Sequence, residues 1–177
     1  MKPFIHPLAD VEEGAEVGED SVIWRWTHVM SKAKIGKNCT IGQGCFFQDD
    51  TEVGDDCKIQ NNVSVYTGVT LEDNVFIGPS VVFTNVRKPK AGVIIATSAY
   101  NRTIVRQGAT IGANATIVCG VEIGENALVG AGAVITKSVP PGICVVGNPA
   151  GVLVRDVRGV SFVISFEDYY IKRLHHN

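Results

Sequence analysis

The stretch IGKNCTIGQGCFFQDDTEVGDDCK, residues 35–58, writes one six-residue arrangement four times. Each unit opens on an apolar residue (Ile35, Ile41, Phe47, Val53), and its fifth residue is small or carries a short polar group (Cys39, Cys45, Thr51, Cys57). Stepping outward by six finds Ile5, Val11, Val17, Ile23 and Val29 on one side, then Ile59, Val65, Leu71, Ile77 and Phe83 on the other. The frame resumes with Val105, Ile111, Ile117, Ile123, Val129 and Ile135. Val, Ile, Leu and Phe make up 54 of 177 residues, so twenty matches by chance have a probability of about 10^-10 before choice of frame. The period is therefore structural.

The fifth position stays small elsewhere (Ala9, Ala15, Thr27, Ala33, Ala109, Ala115, Ala127, Ala133), as a crowded corner requires. A glycine often follows the apolar residue directly (Gly18, Gly36, Gly42, Gly54, Gly78, Gly112, Gly124, Gly130), which predicts either a positive φ or close backbone approach. Each unit then reads as a short strand and a turn. Three units close a triangular coil of 18 residues, and coils stack at about 4.8 Å. The expected fold is all-β, a parallel β-helix of about seven coils. The arithmetic leaves its hand open, and ordinary parallel crossovers are right-handed.

Composition narrows the function. Sixteen Lys and Arg against 18 Asp and Glu give a net charge of -2, which offers no basic groove for nucleic acid or an anionic membrane. No apolar run approaches the roughly 20 residues that span a bilayer, and the first residues open no signal-peptide core, so a cytoplasmic location is expected. The five cysteines are odd in number and none forms a CxxC pair, so they are expected reduced. Cys39, Cys45 and Cys57 fill the small slot, Cys119 and Cys144 lack a neighbouring base, and the histidines are scattered, so no metal is expected.

Residues 84–104 fall out of frame. Lys88, Pro89 and Lys90 make a stiff polar base and AGVIIATSAY an apolar tip, which predicts an extruded loop lying over a neighbouring subunit. Residues 1–150 form the repeat domain and 151–177 an extension, where VSFVISFEDYY suggests a strand and FEDYYIKRLHHN a terminal helix. His175 and His176 are expected in solvent.

The runs AKIGKNCTIG, ATIGANATIVCGVEIGENALVGAGAVITKSVPPG and VVGNPA resemble the hexapeptide-repeat acyltransferases over Ile5 to Ala150. That resemblance implies a left-handed coil and a homotrimer with active sites between subunits. WTHVMSKAKIG, KIQNNVSVYTGVTLEDNVFIGPS and VFTNV narrow it to the bacterial sugar-nucleotide 3-N-acetyltransferases, which move acetyl from acetyl-CoA to the 3-amine of a nucleotide-linked aminosugar. FTNV, where others have FTND, leans toward the UDP-2-acetamido-3-amino-2,3-dideoxyglucuronate type used in surface-polysaccharide synthesis. The dTDP-3-amino-3,6-dideoxyhexose type is the alternative, and a non-catalytic β-helix binding protein a more distant one. A related zinc hydratase would need three histidines at a seam, and only His6 and His28 lie in the coils.

The resemblance marks the catalytic candidates. Many relatives carry a histidine base at the start of the loop, where this chain has Asn85. An amide cannot take a proton usefully, so Asn85 either orients the amine or fills a left-handed turn. His28, outward-facing and three coils from Asn85, is the second candidate, for substrate contact or proton handling. Gln60, Asn61, Tyr66 and Thr84 are candidate substrate contacts, with turn chemistry the alternative for the asparagine. Gly112, Ala113, Gly130 and Ala131, one coil apart, would let pantetheine reach the backbone. Thr136, Lys137 and the GNPA turn line the adenine end by resemblance, and Arg155 is the candidate for the 3'-phosphate.

Overall fold

A computed structural model describes residues 1–174 and shows a three-sided parallel β-helix. Face A begins with Phe4–Ile5 and carries eight parallel strands ending at Cys144–Val146. Face B carries seven, from Asp10–Val11 to Val134–Ile135, and face C six, from Glu16–Val17 to Glu122–Ile123. Partners are 18 residues apart, as in Val22↔Thr40 on face A and His28↔Phe46 on face B. His175 and His176 lie outside the described residues.

Every sixth side chain points into the bore. From Ile23 to Ile135 these residues are essentially buried, whereas Ile5 at the open end is 40% exposed because no coil lies beneath it. The small slot packs beside this column and carries its own hydrogen bonds. Ser21 Oγ donates to the Gly36 carbonyl at 2.7 Å and Thr27 Oγ1 to that of Gly42 at 2.8 Å. The thiols of Cys39, Cys45 and Cys57 do likewise, to Gly54, Gln60 and Glu72 at 3.1, 3.0 and 3.1 Å. These cysteines are thus hydrogen-bond donors as well as space-filling groups. Burial pushes the Cys45 thiol up to about 11, which keeps it protonated for that bond.

The glycines that follow the apolar column do not have positive φ; close approach alone explains them. A Cβ on Gly78 would lie 2.6 Å from the Ala113 backbone nitrogen, and one on Gly36 2.6 Å from the Gly54 carbonyl carbon. The left-handed residues sit two places further on, at Asp20, Asn38, Asp50, Asp56, Asn62, Asn74, Asn114 and Asn126, the types that tolerate it best. Trp26 and Ser80 occupy the same position with φ 61° and 60°.

The loop interrupts the coil without breaking the stack. Leu71 pairs with Val105, 34 residues on where 18 would serve, so 16 residues are inserted. The return strand starts at Thr103, earlier than the frame alone places it. Arg106 pins the resumed frame by bridging Glu72 at 2.7 Å and Glu122 at 2.9 Å. Val93 and Ile94 at the tip are 53% and 100% exposed, while Thr97–Ala99 forms a short 3-10 turn on the way back.

The last residues adopt both of the expected elements. Gly151–Arg155 adds antiparallel to face A, Ser161–Ile164 adds to that, and helix Phe166–Leu174 follows. Ser165 caps the helix, accepting from the Asp168 N–H at 3.0 Å. Phe166 and Val152, 6% and 1% exposed, belong to the same core cluster as the bore residues.

The two kinds of glycine are expected to respond differently to alanine. Gly78→Ala must push backbone against backbone and should cost about 1–3 kcal/mol. Gly132→Ala meets nothing within 4 Å and should lose only the left-handed penalty of about 1 kcal/mol. Denaturant melts of the two variants check this, and a Gly78→Ala protein as stable as the parent would contradict it.

Candidate active site

The insertion leaves the prism at the corner between faces B and C, and this corner gathers part of the expected site. Tyr66 and Thr84 occupy the same corner position on successive rungs, and Asn85 follows Thr84 at the loop's first step. The Asn85 carbonyl accepts from the Asn101 N–H at 3.1 Å, so the loop is pinched closed at its neck. Thr84 Oγ1 accepts from the Cys119 N–H at 2.9 Å, tying the neck to the next rung. Gly120 has φ 82°, and a Cβ there would meet Asn101 at 3.4 Å and the Arg87 guanidinium at 3.7 Å. Arg87 and Asn101 therefore border the same neck. Sequence reading missed both, because neither lies in the repeat frame.

Asn85 is half-buried and is not a positive-φ residue, so the left-handed-turn reading of it fails. Its side-chain amide has no hydrogen-bond partner among the described residues, which leaves it available to a ligand. Cys119, one rung above, is fully buried and packs as a core residue.

His28 stands apart from this corner. Strand pairing runs His28↔Phe46, Phe46↔Ser64 and Ser64↔Val82, which sets it three rungs from the loop. Its Nε2 lies 2.8 Å from Glu12 Oε1 and 3.8 Å from Asp10 Oδ2. Its ring meets Phe46 at 5.5 Å between centroids, and Phe46 meets Tyr66 at 5.8 Å. An aromatic line thus runs along face B from His28 toward Tyr66, with the imidazole held at the far end by two carboxylates.

The remaining expected contacts fall on a second edge, higher on the edge of Asn85, and on the terminal hairpin. Gln60 and Asn61 lie at the corner between faces A and B, in the same columns as Gly112, Ala113, Gly130 and Ala131. Asn61 Oδ1 accepts from the Gln43 N–H at 3.0 Å, so its side chain serves the turn. A Cβ on Gly112 would lie 2.5 Å from the Ala131 nitrogen, so coil packing is reason enough for that glycine. The result is a smooth strip of glycine and alanine along this edge. Thr136 and Lys137 return to the corner of Asn85, two rungs above it, and line a cavity of about 310 Å³ with Pro149, Ala150, Gly151 and the start of the terminal helix. The Lys137 ammonium pairs with Glu167, and that partnership holds the Glu167 carboxyl below its ordinary range. Arg155 is outside this cavity; its Nε donates to the Gly159 carbonyl at 2.9 Å and closes the terminal hairpin.

One chain therefore places Asn85, Thr136 and Lys137 on one edge and the glycine-alanine strip on another, with face B between them. Among the described residues no three His, Cys, Asp or Glu side chains are grouped to hold a metal ion. None of their helices is long and apolar enough to cross a membrane.

Comparison with known proteins agrees with this architecture. A family model described as bacterial transferase hexapeptide (six repeats) matches residues 14–48, 50–85 and 102–137, breaking off over the inserted loop. A second, the hexapeptide repeat of succinyl-transferase, matches 32–67. The dTDP-3-amino-3,6-dideoxy-alpha-D-galactopyranose 3-N-acetyltransferase of Aneurinibacillus thermoaerophilus is 43% identical over 148 residues, covering 83% of this chain and 75% of its own. Bifunctional GlmU of Thermotoga sp. (strain RQ2) is 34% identical over 165 residues, but the chain spans only 37% of that protein. Among solved structures, a hexapeptide transferase family protein from Anaplasma phagocytophilum has a TM-score of 0.59 at 21% identity, covering 99% and 87% of the two chains. The acetyltransferase domain of PglB from Neisseria gonorrhoeae FA1090, solved with acetyl coenzyme A, has a TM-score of 0.56 at 22% identity, covering 86% of this chain and 58% of that one. At those identities the two structures share the fold.

The Thr84 contact separates a structural from a substrate role. Thr84→Val leaves the Cys119 N–H without its partner and should cost about 1–3 kcal/mol, while Thr84→Ser keeps the acceptor and most of the stability. Thermal melts read the difference, and equal stability of Thr84→Val and the parent would show that the bond contributes nothing.

Proposed function

The chain belongs to the hexapeptide-repeat bacterial transferases, and from that premise we propose that it is an acetyl-CoA-dependent sugar-nucleotide N-acetyltransferase acting on the 3-amine of the sugar. The observation that carries this reading is the 43% identity to an enzyme named for acetylation of a nucleotide-linked 3-amino sugar. That relative's name favours a dTDP-3-amino-3,6-dideoxyhexose acceptor. The FTNV motif ending at Val86 favours the UDP-2-acetamido-3-amino-2,3-dideoxyglucuronate acceptor instead. Both present the same nucleophile to the same neck.

The chemistry needs little from the protein beyond orientation. An amine with a pKa near that of an α-amino group, about 7.7–8.0, is partly neutral at pH 7 and can attack the thioester carbonyl without a side-chain base. Asn85 fits the task of holding it, by accepting from the amine through its side-chain oxygen while backbone N–H groups steady the oxyanion. The new C–N bond forms, the C–S bond breaks, and the amine's proton leaves with the CoA sulfur. His28, three rungs away and paired with Glu12, cannot serve as base to an amine at Asn85 of the same chain. It can contact the nucleotide sugar only across a seam.

On this reading the active unit is a homotrimer working on cytoplasmic metabolites. Two features support it. The edge carrying Asn85 and the edge carrying Gly112, Ala113, Gly130 and Ala131 lie on opposite sides of face B, so a donor touching both is met most simply between neighbouring copies. The bare Val93 and Ile94 at the loop tip also need cover. Sedimentation should therefore give three times the 18.9 kDa chain mass; a monomer would contradict it.

Asn85→Ala should lower kcat roughly 5- to 150-fold, the loss of one positioning hydrogen bond of about 1–3 kcal/mol, with CoA affinity unchanged. Thiol release from acetyl-CoA, followed with UDP- and dTDP-linked 3-aminosugars, measures this and chooses the nucleotide. An unchanged rate in Asn85→Ala with a collapse in His28→Ala would assign the reaction to the histidine instead.

A further inference from the structure

A cavity of about 520 Å³ contains none of the groups assigned above. It is a groove on face C, floored by successive rungs and roofed by the returning limb of the loop from Thr97 to Arg102. Its volume is within the range of small-molecule sites.

Charge is unevenly spent along it. Lys32, Asp50, Gly68 and Arg102 stack in one column along it, and Lys34 pairs with Glu52 on adjacent rungs of face C beside them. Lys34 is already engaged with Glu16 at 3.5 Å. Neither the Lys32 ammonium nor the Arg102 guanidinium has an ion-pair partner among the described residues, so two cations border the groove without a counter-charge in contact. The groove also reaches the neck. Thr67, which lines its upper end, lies one rung below Asn85 in the same corner column, and Arg102 directly follows Asn101, whose N–H is bonded to the Asn85 carbonyl. From Asn85 down to the level of Lys32 is three rungs, or roughly 14 Å at 4.8 Å per rung.

We propose that this groove binds the diphosphate of a nucleoside diphosphate, with Lys32 and Arg102 as its counter-charges, so that a sugar attached to that diphosphate projects up to Asn85. The assignment rests on the acceptor reading above. The same diphosphate chemistry also occurs in CoA, and the groove commits to the acceptor because it opens at the amine side of the neck on face C, two rungs below Lys137 and separated by face B from the glycine-alanine strip. Lys32 and Arg102 are both exposed, so their substitution leaves the core intact. Asp50 lines the same groove with the opposite charge and already sits at φ 58°, which asparagine tolerates.

The test is calorimetric titration of the full chain with UDP, with dTDP and with CoA, each alone. The parent should bind one of the two nucleoside diphosphates. Lys32→Glu with Arg102→Glu should weaken that affinity tenfold or more, Asp50→Asn should strengthen it severalfold, and CoA affinity should not move. Affinity for UDP and dTDP that is absent in the parent or indifferent to both changes would overturn the proposal. A loss of CoA affinity in its place would move the groove to the donor. Turnover separates this from the reaction itself. Acetyl transfer with a diphosphate affinity indifferent to the variants removes the groove and keeps the enzyme. Diphosphate binding that depends on Lys32 and Arg102, without transfer to any 3-aminosugar, keeps the groove and removes the reaction.

Discussion

Everything in this chain depends on the bore: one Val, Ile, Leu or Phe every sixth residue, stacked directly on its equivalent a coil away. Full burial of each such side chain is worth about 1.5–3 kcal/mol, and the column has no substitute in a chain so poor in aromatic residues. Stacking at the spacing of hydrogen-bonded strands then imposes the other rules. The residue after the bore position must often lack a Cβ, as Gly78 does against Ala113. The corner must turn left-handed two residues later, and the slot beside the column must stay small. Ser21, Thr27 and the three slot cysteines add a hydrogen bond to the next coil's carbonyl without adding bulk.

That regularity explains what could be read in advance. The period of six dictates strands, faces, corners and the place of every repeat residue, so the columns of His28 and Asn85 and their separation by three rungs follow from subtraction. The same logic left the glycines open between a positive φ and close approach, because composition shows that a glycine is needed and not whether geometry or crowding needs it; crowding proves to be the reason. The left-handed positions were legible in the column of Asp20, Asn38, Asp56 and Asn74, two residues further along. Thiol hydrogen bonds were not, since they join residues 15 apart across a corner. Arg155 could be placed near the terminal turn but not aimed, and the hairpin aims it at Gly159.

The loop is where periodicity stops informing. Sixteen inserted residues obey no frame, and only the folded chain shows that they pinch at Asn85 and Asn101 and then return along face C. Arg87, Asn101 and Arg102 acquire their neighbours through that return alone. The repeat thus supplies a rigid ruler, and the departure from it places polar groups against the ruler's marks. A rigid frame is a suitable base for a reaction that asks chiefly for orientation.

On the proposed reading the reactive site is shared between copies, with Asn85 contributed from one edge and the glycine-alanine strip from a neighbour's other edge. Subunit complementation tests it most directly. Asn85→Ala and Ala131→Trp, each impaired alone, are unfolded together, refolded as a mixture and assayed for acetyl transfer. If sites form between copies, mixed trimers contain intact sites and activity recovers to roughly a quarter of the parent's. If each chain holds a complete site, the mixture performs no better than the mean of its two parents, and the shared-site account is wrong.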